Sequence, residues 1–211
     1  MLIYGLLSRA RARYADWRDA ALDRKYGIET KDVVTDMEAT GVSGEHAPHG
    51  NHYEPIQLAV FERIVAALPI SPAEFTFVDF GSGKGRALVL AAEHGFRRAI
   101  GVEYAVRLHE AAERNVARYR RLGGTGIPIE LHCADAAELE LPPEESVCFF
   151  YNPFDGVVMA KVLANIRASL HAAPRRLFVV YRNPRHPEVM ANSGFLRCVG
   201  RNSTFEIYAA K

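Results

Sequence analysis

The sequence predicts an α/β fold: a mostly parallel sheet of about seven strands, helices on both faces, and an antiparallel hairpin at the C-terminus. Three observations carry this. Phe75 to Phe80 is rich in aromatic and β-branched residues and reads as a buried strand, and Gly81, Gly83 and Gly85 follow it at alternate positions before an apolar helical run at Ala87. Strand and helix patterns then alternate as far as Tyr181, as a chain of βαβ units requires. Finally, Phe195 to Val199 and Ser203 to Ala209 flank a Gly200-Arg201-Asn202 turn and read as a hairpin.

The totals bound the rest. A chain of 211 residues fits one domain with a small N-terminal extension. Its 49% hydrophobic and 24% charged residues are ordinary for a globular protein. A formal net charge of +1 gives no reason to expect nucleic acid or a membrane surface as a partner. Cys133, Cys148 and Cys198 are far apart, lie in expected strands and form no C-x-x-C. Neither a zinc site nor a disulfide framework is indicated, which favours a reducing compartment and a cytoplasmic protein. Met1 to Leu7 is apolar but short for a signal sequence, and no run approaches a membrane span.

Taken in order, Ser8 to Tyr26 reads as a helix rich in Ala and Arg. Tyr14, Trp17 and Ala21 give it an apolar face, suited to packing on the outside of the domain; a dimer contact or a lid over a substrate are the alternatives. Gly27 stands where a C-cap belongs. Ile28 to Asn51 has no period and reads as a loop. His46, His49 and His52 are three apart there, but Pro48 and Gly50 argue against a helix that would present them to a metal, and none is expected. Tyr53-Glu54-Pro55 opens a helix from Ile56 to Leu68, where a proline suits the first turn and an aromatic can roof a pocket.

The glycine spacing discriminates between ligands. A dinucleotide turn wants G-x-G-x-x-G, but here the pattern is G-x-G-x-G with Arg86 in the last place. A P-loop wants glycine where Val78 stands and Ser or Thr where Gly85 stands. Asp79, two residues before Gly81, suits an ammonium group or a cation and would repel a pyrophosphate. After a helix from Ala87 to His94, a second strand from Arg98 to Val102 ends at Glu103, about where an acid accepts ribose hydroxyls. A helix over Ala105 to Leu122 has a charged face. A third strand over Ile129 to Cys133 leads to Asp135, which as a plain helix N-cap would need no ligand. The fourth strand, Ser146 to Tyr151, ends in Asn152-Pro153-Phe154, at the least a turn. A helix over Val157 to Leu170, a fifth strand over Arg176 to Tyr181 and a short helix over Glu188 to Asn192 complete the series.

From Tyr53 to Lys211 the chain resembles the class I (seven-strand, Rossmann-like) S-adenosyl-L-methionine (SAM) methyltransferases. The likeness rests on hydrophobic-Asp-x-Gly-x-Gly-x-Gly, the acids after the second and third strands, Asn-Pro-Phe and the terminal hairpin. It implies a SAM-binding domain over 53–211 that releases S-adenosylhomocysteine, preceded by a helical extension and a loop or lid over 1–52. Asp79, Phe80, Gly81, Ser82, Gly83 and Gly85 would wrap the amino-acid part of SAM. Glu103 would hold the ribose, with Tyr104 along the adenine or ribose. Asp135 would take the exocyclic amine and the backbone N–H of Ala136 a ring nitrogen. Asn152, Pro153 and Phe154 look like the [Asp/Asn]-Pro-Pro-[Tyr/Phe] loop of amino-group methyltransferases, where they hold the acceptor and Asn152 also borders the cofactor. The single proline and Asp155 depart from the adenine-methylating form and weaken the case for a nucleobase. Tyr53 and Pro55 resemble a Tyr-x-Pro pre-motif of some seven-strand lysine methyltransferases, and Tyr53, Tyr151 or His52 would orient the acceptor or take its proton. Asp23 to Gly27 adds a likeness to a bacterial branch.

The implied acceptor is a nitrogen of a protein side chain or small molecule, favoured over nucleic acid, with the enzyme a monomer or homodimer. Three other readings stay open at this point. One is a non-catalytic SAM-binding accessory protein, and a second is an NAD-dependent oxidoreductase. The third is a nucleic-acid methyltransferase using Arg9, Arg11, Arg13, Arg18, Arg24 and Lys25.

Overall fold

The computed structural model describes residues 2–35 and 53–211, with side chains from Arg13 onward. His46, His49 and His52 lie outside the described residues. Among the described residues no helix is long and apolar enough to cross a membrane.

A seven-stranded sheet in the order β3-β2-β1-β4-β5-β7-β6 forms the centre. Its strands are β1 (Thr76–Phe80), β2 (Arg98–Glu103), β3 (Ile129–Cys133), β4 (Ser146–Tyr151), β5 (Leu177–Arg182), β6 (Leu196–Arg201) and β7 (Phe205–Ala210). The first five run parallel, and β7 inserts antiparallel between β5 and β6. The helices are α1 (Leu2–Tyr26), α2 (Leu58–Ala67), α3 (Arg86–Glu93), α4 (Val106–Arg121), α5 (Gly156–Ala172) and α6 (Pro187–Ala191). Strand order reverses between β2-β1 and β1-β4, the position where open α/β sheets form a crevice at the carboxyl edge. Glu103, Asp79 and Tyr151 all sit at that edge.

Burial on both faces explains why the central strands read as continuous apolar runs. β1 is buried at all five positions. Phe77 points into a core shared with α1 to α4, where Phe61, Phe96 and Phe149 ring it at centroid distances of 5.2–5.6 Å. Val78 and Phe80 point into the opposite core under α5, where Phe80 stacks on Phe150 at 4.7 Å.

Two expectations change. Tyr14 and Trp17 are exposed, at 62% and 59%, and stack on each other; the docked face of α1 is instead Asp19, Leu22 and Tyr26. The reason is electrostatic rather than apolar. Arg86, the first residue of α3, is 2% exposed and carries its guanidinium into this interface. Its Nη2 donates to Asp19 at 2.7 Å, its Nη1 to Asp23 and to the Thr30 hydroxyl at 2.8 Å, and its Nε to the Ile56 carbonyl at 2.7 Å. Asp23 also accepts from the Thr30 and Lys31 N–H groups, and Asp19 from the N–H of Leu58. A buried arginine demands this many partners, and they dictate which side of α1 faces in. The second change is the hairpin turn, which lies one to two residues later than its glycine suggests. Asn202 accepts from the N–H groups of Thr204 and Phe205, so the side-chain turn closes there, and Gly200 instead sits at a register shift within β6. Gly27 ends α1 with φ +58° as expected.

Replacing Arg86 by methionine would strand two buried carboxylates. Urea unfolding followed by circular dichroism should show a loss of about 3–5 kcal/mol. A variant as stable as the parent would mean that the network contributes nothing net.

Candidate functional site

The crevice at the carboxyl edge is a cleft of about 1000 Å³ counting its open mouth. Its floor is the turn after β1. Gly81 and Gly83 adopt φ of +84° and +52°, and both are crowded as well as twisted. A Cβ on Gly81 would lie 2.4 Å from the Cβ of Pro153, and one on Gly83 would lie 2.2 Å from the ring of Tyr53. The turn is thus gripped between the loop after β4 and the segment before α2, and no side chain fits in either contact. Gly85 forms the N-cap of α3 in the left-handed region. Asn115 of α4 braces the turn from outside, donating to the Lys84 carbonyl at 3.0 Å while accepting from the Glu29 N–H at 2.9 Å.

Two carboxyl groups lie in the floor. Asp79 is 3% exposed, and its pKa is raised well above the ordinary aspartate value, first by burial and then by the charge of Glu103. Glu103 is 9% exposed and accepts the N–H of Gly83 and of Ala105, each at 2.8 Å. These bonds favour its charged form, yet burial outweighs them and raises its pKa. Two buried acids that both resist ionisation make a site short of positive charge and of donors. Ser82 adds a buried hydroxyl with no hydrogen bond among the described residues. The donor set fits a ligand that brings an ammonium group and hydroxyls, and it opposes a pyrophosphate.

The walls follow from neighbouring elements. Tyr104, 37% exposed, and Leu108 come from the start of α4. Asp135 and Ala136 come from the turn after β3, where Asp135 both caps that turn, accepting the Ala137 N–H at 2.8 Å, and lines the cleft. The roof is Tyr53. Its backbone exchanges two 3.0 Å bonds with Val34, and its hydroxyl donates to the Thr30 carbonyl at 2.7 Å. Burial keeps that phenol protonated, and Lys84 lies 5.4 Å over its ring. At the far end stand Tyr151, Pro153, Phe154 and Val158.

Most of the residues singled out in the sequence therefore meet in one cleft. Three are not among its lining. Phe80 belongs to the core under α5, Gly85 is the N-cap of α3, and Asn152, 7% exposed, does not line the cleft, although its neighbours on both sides do. Asn152 holds a left-handed φ of +43°, an unusual conformation that turns the chain so that Pro153 meets Gly81. Sequence reasoning missed Glu54 on the roof, and the pair Asp19 and Asp23. Their spacing of four on α1 was the available signal, since it puts both on one helix face.

The comparisons agree with this geometry. Residues 78–182 match a family described as a methyltransferase domain. No curated protein matches the chain. Among solved structures, a SAM-dependent methyltransferase from Aquifex aeolicus is similar at 15% identity and a TM-score of 0.51, covering 71% of this chain and 88% of that one. A SAM-dependent methyltransferase from Leishmania major gives 16% and 0.51, with 73% and 71% covered. The mitomycin 7-O-methyltransferase MmcR gives 18% and 0.52, with 73% of this chain and 53% of that one covered. At these identities the structures speak to the fold, and the matched domain speaks to the family. With the strand order, the crowded glycine turn and the paired acids, they lead to one conclusion: the chain belongs to the class I SAM-dependent methyltransferases.

Proposed function

We propose that this enzyme transfers a methyl group from SAM to an amine nitrogen, on a protein side chain or a small molecule, with the donor lying on the turn after β1. The observation that carries the reading is the pair of buried acids at that turn, Asp79 and Glu103. Asp79 with Gly81, Ser82, Gly83 and Gly85 would hold the amino-acid part, Asp79 answering its ammonium group. Glu103 would take the ribose hydroxyls, since the backbone N–H groups of Gly83, Ala105 and Tyr104 do not exhaust the lone pairs of its two oxygens. Asp135 and the N–H of Ala136 would meet the adenine, with Tyr104 against its face.

SAM supplies a methyl carbon already activated by its sulfonium, so the protein needs no covalent intermediate. What the chain must do is hold the acceptor lone pair in line with the methyl group and keep water out. Tyr53 covers the turn. Its buried phenol donates to the Thr30 carbonyl, which suits a roof rather than a base. Pro153 and Phe154 would border the acceptor, and Asn152 would act by shaping that loop.

Calorimetric titration should show saturable binding of SAM and of S-adenosylhomocysteine. Binding should vanish when Gly83→Val, which drives a side chain into the ring of Tyr53, is combined with Glu103→Ala. Tighter binding of NADH than of either ligand would overturn the reading.

Asp79 gives a second test, with opposite signs for stability and binding. Its raised pKa means that the folded protein holds this proton more tightly than the unfolded chain does. The stability it contributes is full below the ordinary aspartate range and is lost as pH rises through the raised value. Asp79→Asn should therefore raise the melting temperature of the ligand-free protein at pH 7 and flatten its fall with pH. It should also weaken SAM by about 10- to 100-fold, the worth of a hydrogen bond to a charged group. Unchanged binding would remove Asp79 from the site.

A further inference from the structure

Glu54 is an acid of the cleft to which the holding of the donor assigns no task. It lines the same cleft as Asp79 and Glu103 but sits on the roof segment, with its side chain exposed at the mouth. It shares the cleft lining with Tyr151, whose phenol neighbours its carboxylate and which ends β4 immediately before Asn152. The backbone on both sides of it is fixed. Tyr53 is paired with Val34, and the carbonyl of Ile56 accepts from Arg86. The phenol is fixed too. The guanidinium of Arg182 lies 5.0 Å over the Tyr151 ring and spends its Nη1 on the Thr204 carbonyl. Burial and the neighbouring carboxylate keep the phenol protonated, which makes Tyr151 a donor and not a base. Beyond Tyr151 the cleft wall is apolar, made by Pro153, Phe154 and Val158.

An apolar wall with one carboxylate and one phenol at its mouth discriminates by charge. Among the described residues lining this wall and mouth none is a cation, the Arg182 guanidinium being turned to the Tyr151 ring and the Thr204 carbonyl, and a carboxylate acceptor meets repulsion from Glu54. An alkylamine places its methylene chain on the apolar wall and its N–H bonds on the carboxylate, a charge-assisted contact. We propose that Glu54, positioned by Tyr151, reads the methyl acceptor, and that the acceptor is a primary or secondary alkylamine. This rests on the methyl-transfer reading above and adds the substrate class to it. In the transfer, the nitrogen lone pair forms the new N–C bond while the C–S bond breaks and its electron pair stays on sulfur, leaving a neutral thioether. The methylated nitrogen is then cationic. It stays protonated beside the Glu54 carboxylate, the amine having lost one proton to water at the open mouth before the attack.

The test uses the full chain with SAM and a matched set of probes: hexylamine, a short peptide carrying one lysine, hexanol and hexanoate. Release of S-adenosylhomocysteine and the mass of the product are read by mass spectrometry. Turnover is expected with the two amines and not with hexanol or hexanoate. Glu54→Gln should lower kcat/KM for the amines about 10-fold or more, chiefly through KM, as loss of a charge-assisted bond predicts. Its affinity for S-adenosylhomocysteine should stay within about 2-fold of the parent, a difference under about 0.4 kcal/mol. Tyr151→Phe should raise KM in the same direction, and Glu54→Asp should restore part of the activity. Equal amine turnover by Glu54→Gln would overturn this proposal alone; preference for hexanol or hexanoate, or SAM binding without amine turnover, would overturn it together with the amine acceptor proposed above. A parent chain that bound neither S-adenosyl compound would overturn the methyl-transfer reading and this one together.

Discussion

The guanidinium of Arg86 is the constraint on which the rest of the molecule leans. It is a permanent charge placed almost wholly out of water, and it can stay there only if every direction of its fork finds an acceptor. Those four acceptors come from three separate stretches: two aspartates of α1, a threonine of the following segment and a backbone carbonyl of the approach to α2. Because Arg86 is the residue that directly follows the glycine turn, folding it correctly draws all of these stretches onto the floor of the cleft. The roof residue Tyr53 and the acid Glu54 then stand over the turn, held by the bridge to Val34 and the bond to Thr30. A desolvated charge is an expensive device, and its value here is specificity of placement rather than net stability.

The floor itself shows the opposite economy. Asp79 sits close enough to Glu103 in a dry place for that charge to raise the cost of ionising it, and neither acid has an ion pair among the described residues. Such a floor is less stable empty than filled, because a positively charged ligand removes the penalty that the fold has accepted. The glycine turn makes this possible. Its positive dihedral angles and its contacts with Pro153 and Tyr53 bring backbone, not side chains, up to the acids. The glycine turn and the loop after β4 meet at the Gly81–Pro153 contact, so the spacing between these two sides of the cleft is set by close packing and not by flexible side chains.

How much of this was legible beforehand follows the length scale of each signal. Strands β1 to β5 and their helices were readable because burial on both faces imposes unbroken apolar runs, and the terminal hairpin because its alternation is local. The floor and near wall of the cleft were readable because their parts, the glycine turn and the acids at the ends of β1 and β2 and after β3, each announce themselves within a few residues. What escaped was non-local. The orientation of α1 was misjudged because Tyr14 and Trp17 form the better apolar stripe, whereas the docked face is chosen by Arg86, more than sixty positions away. Glu54 escaped for a similar reason, since an acid beside a proline at a helix start has no special pattern until Tyr151 is brought to it. The hairpin turn shifted because an asparagine side chain, not the nearby glycine, closed it.

The two-bond bridge between Val34 and Tyr53 carries a further consequence for how such a chain diversifies. It brings two points far apart in sequence to the same place in space, so the stretch joining them leaves from and returns to one address. Lengthening a closed excursion of this kind costs only a slowly growing entropy, about 0.6 kcal/mol for each doubling. The number of residues between Val34 and Tyr53 can therefore change at little cost, while the pinch keeps the Tyr53 ring over the glycine turn.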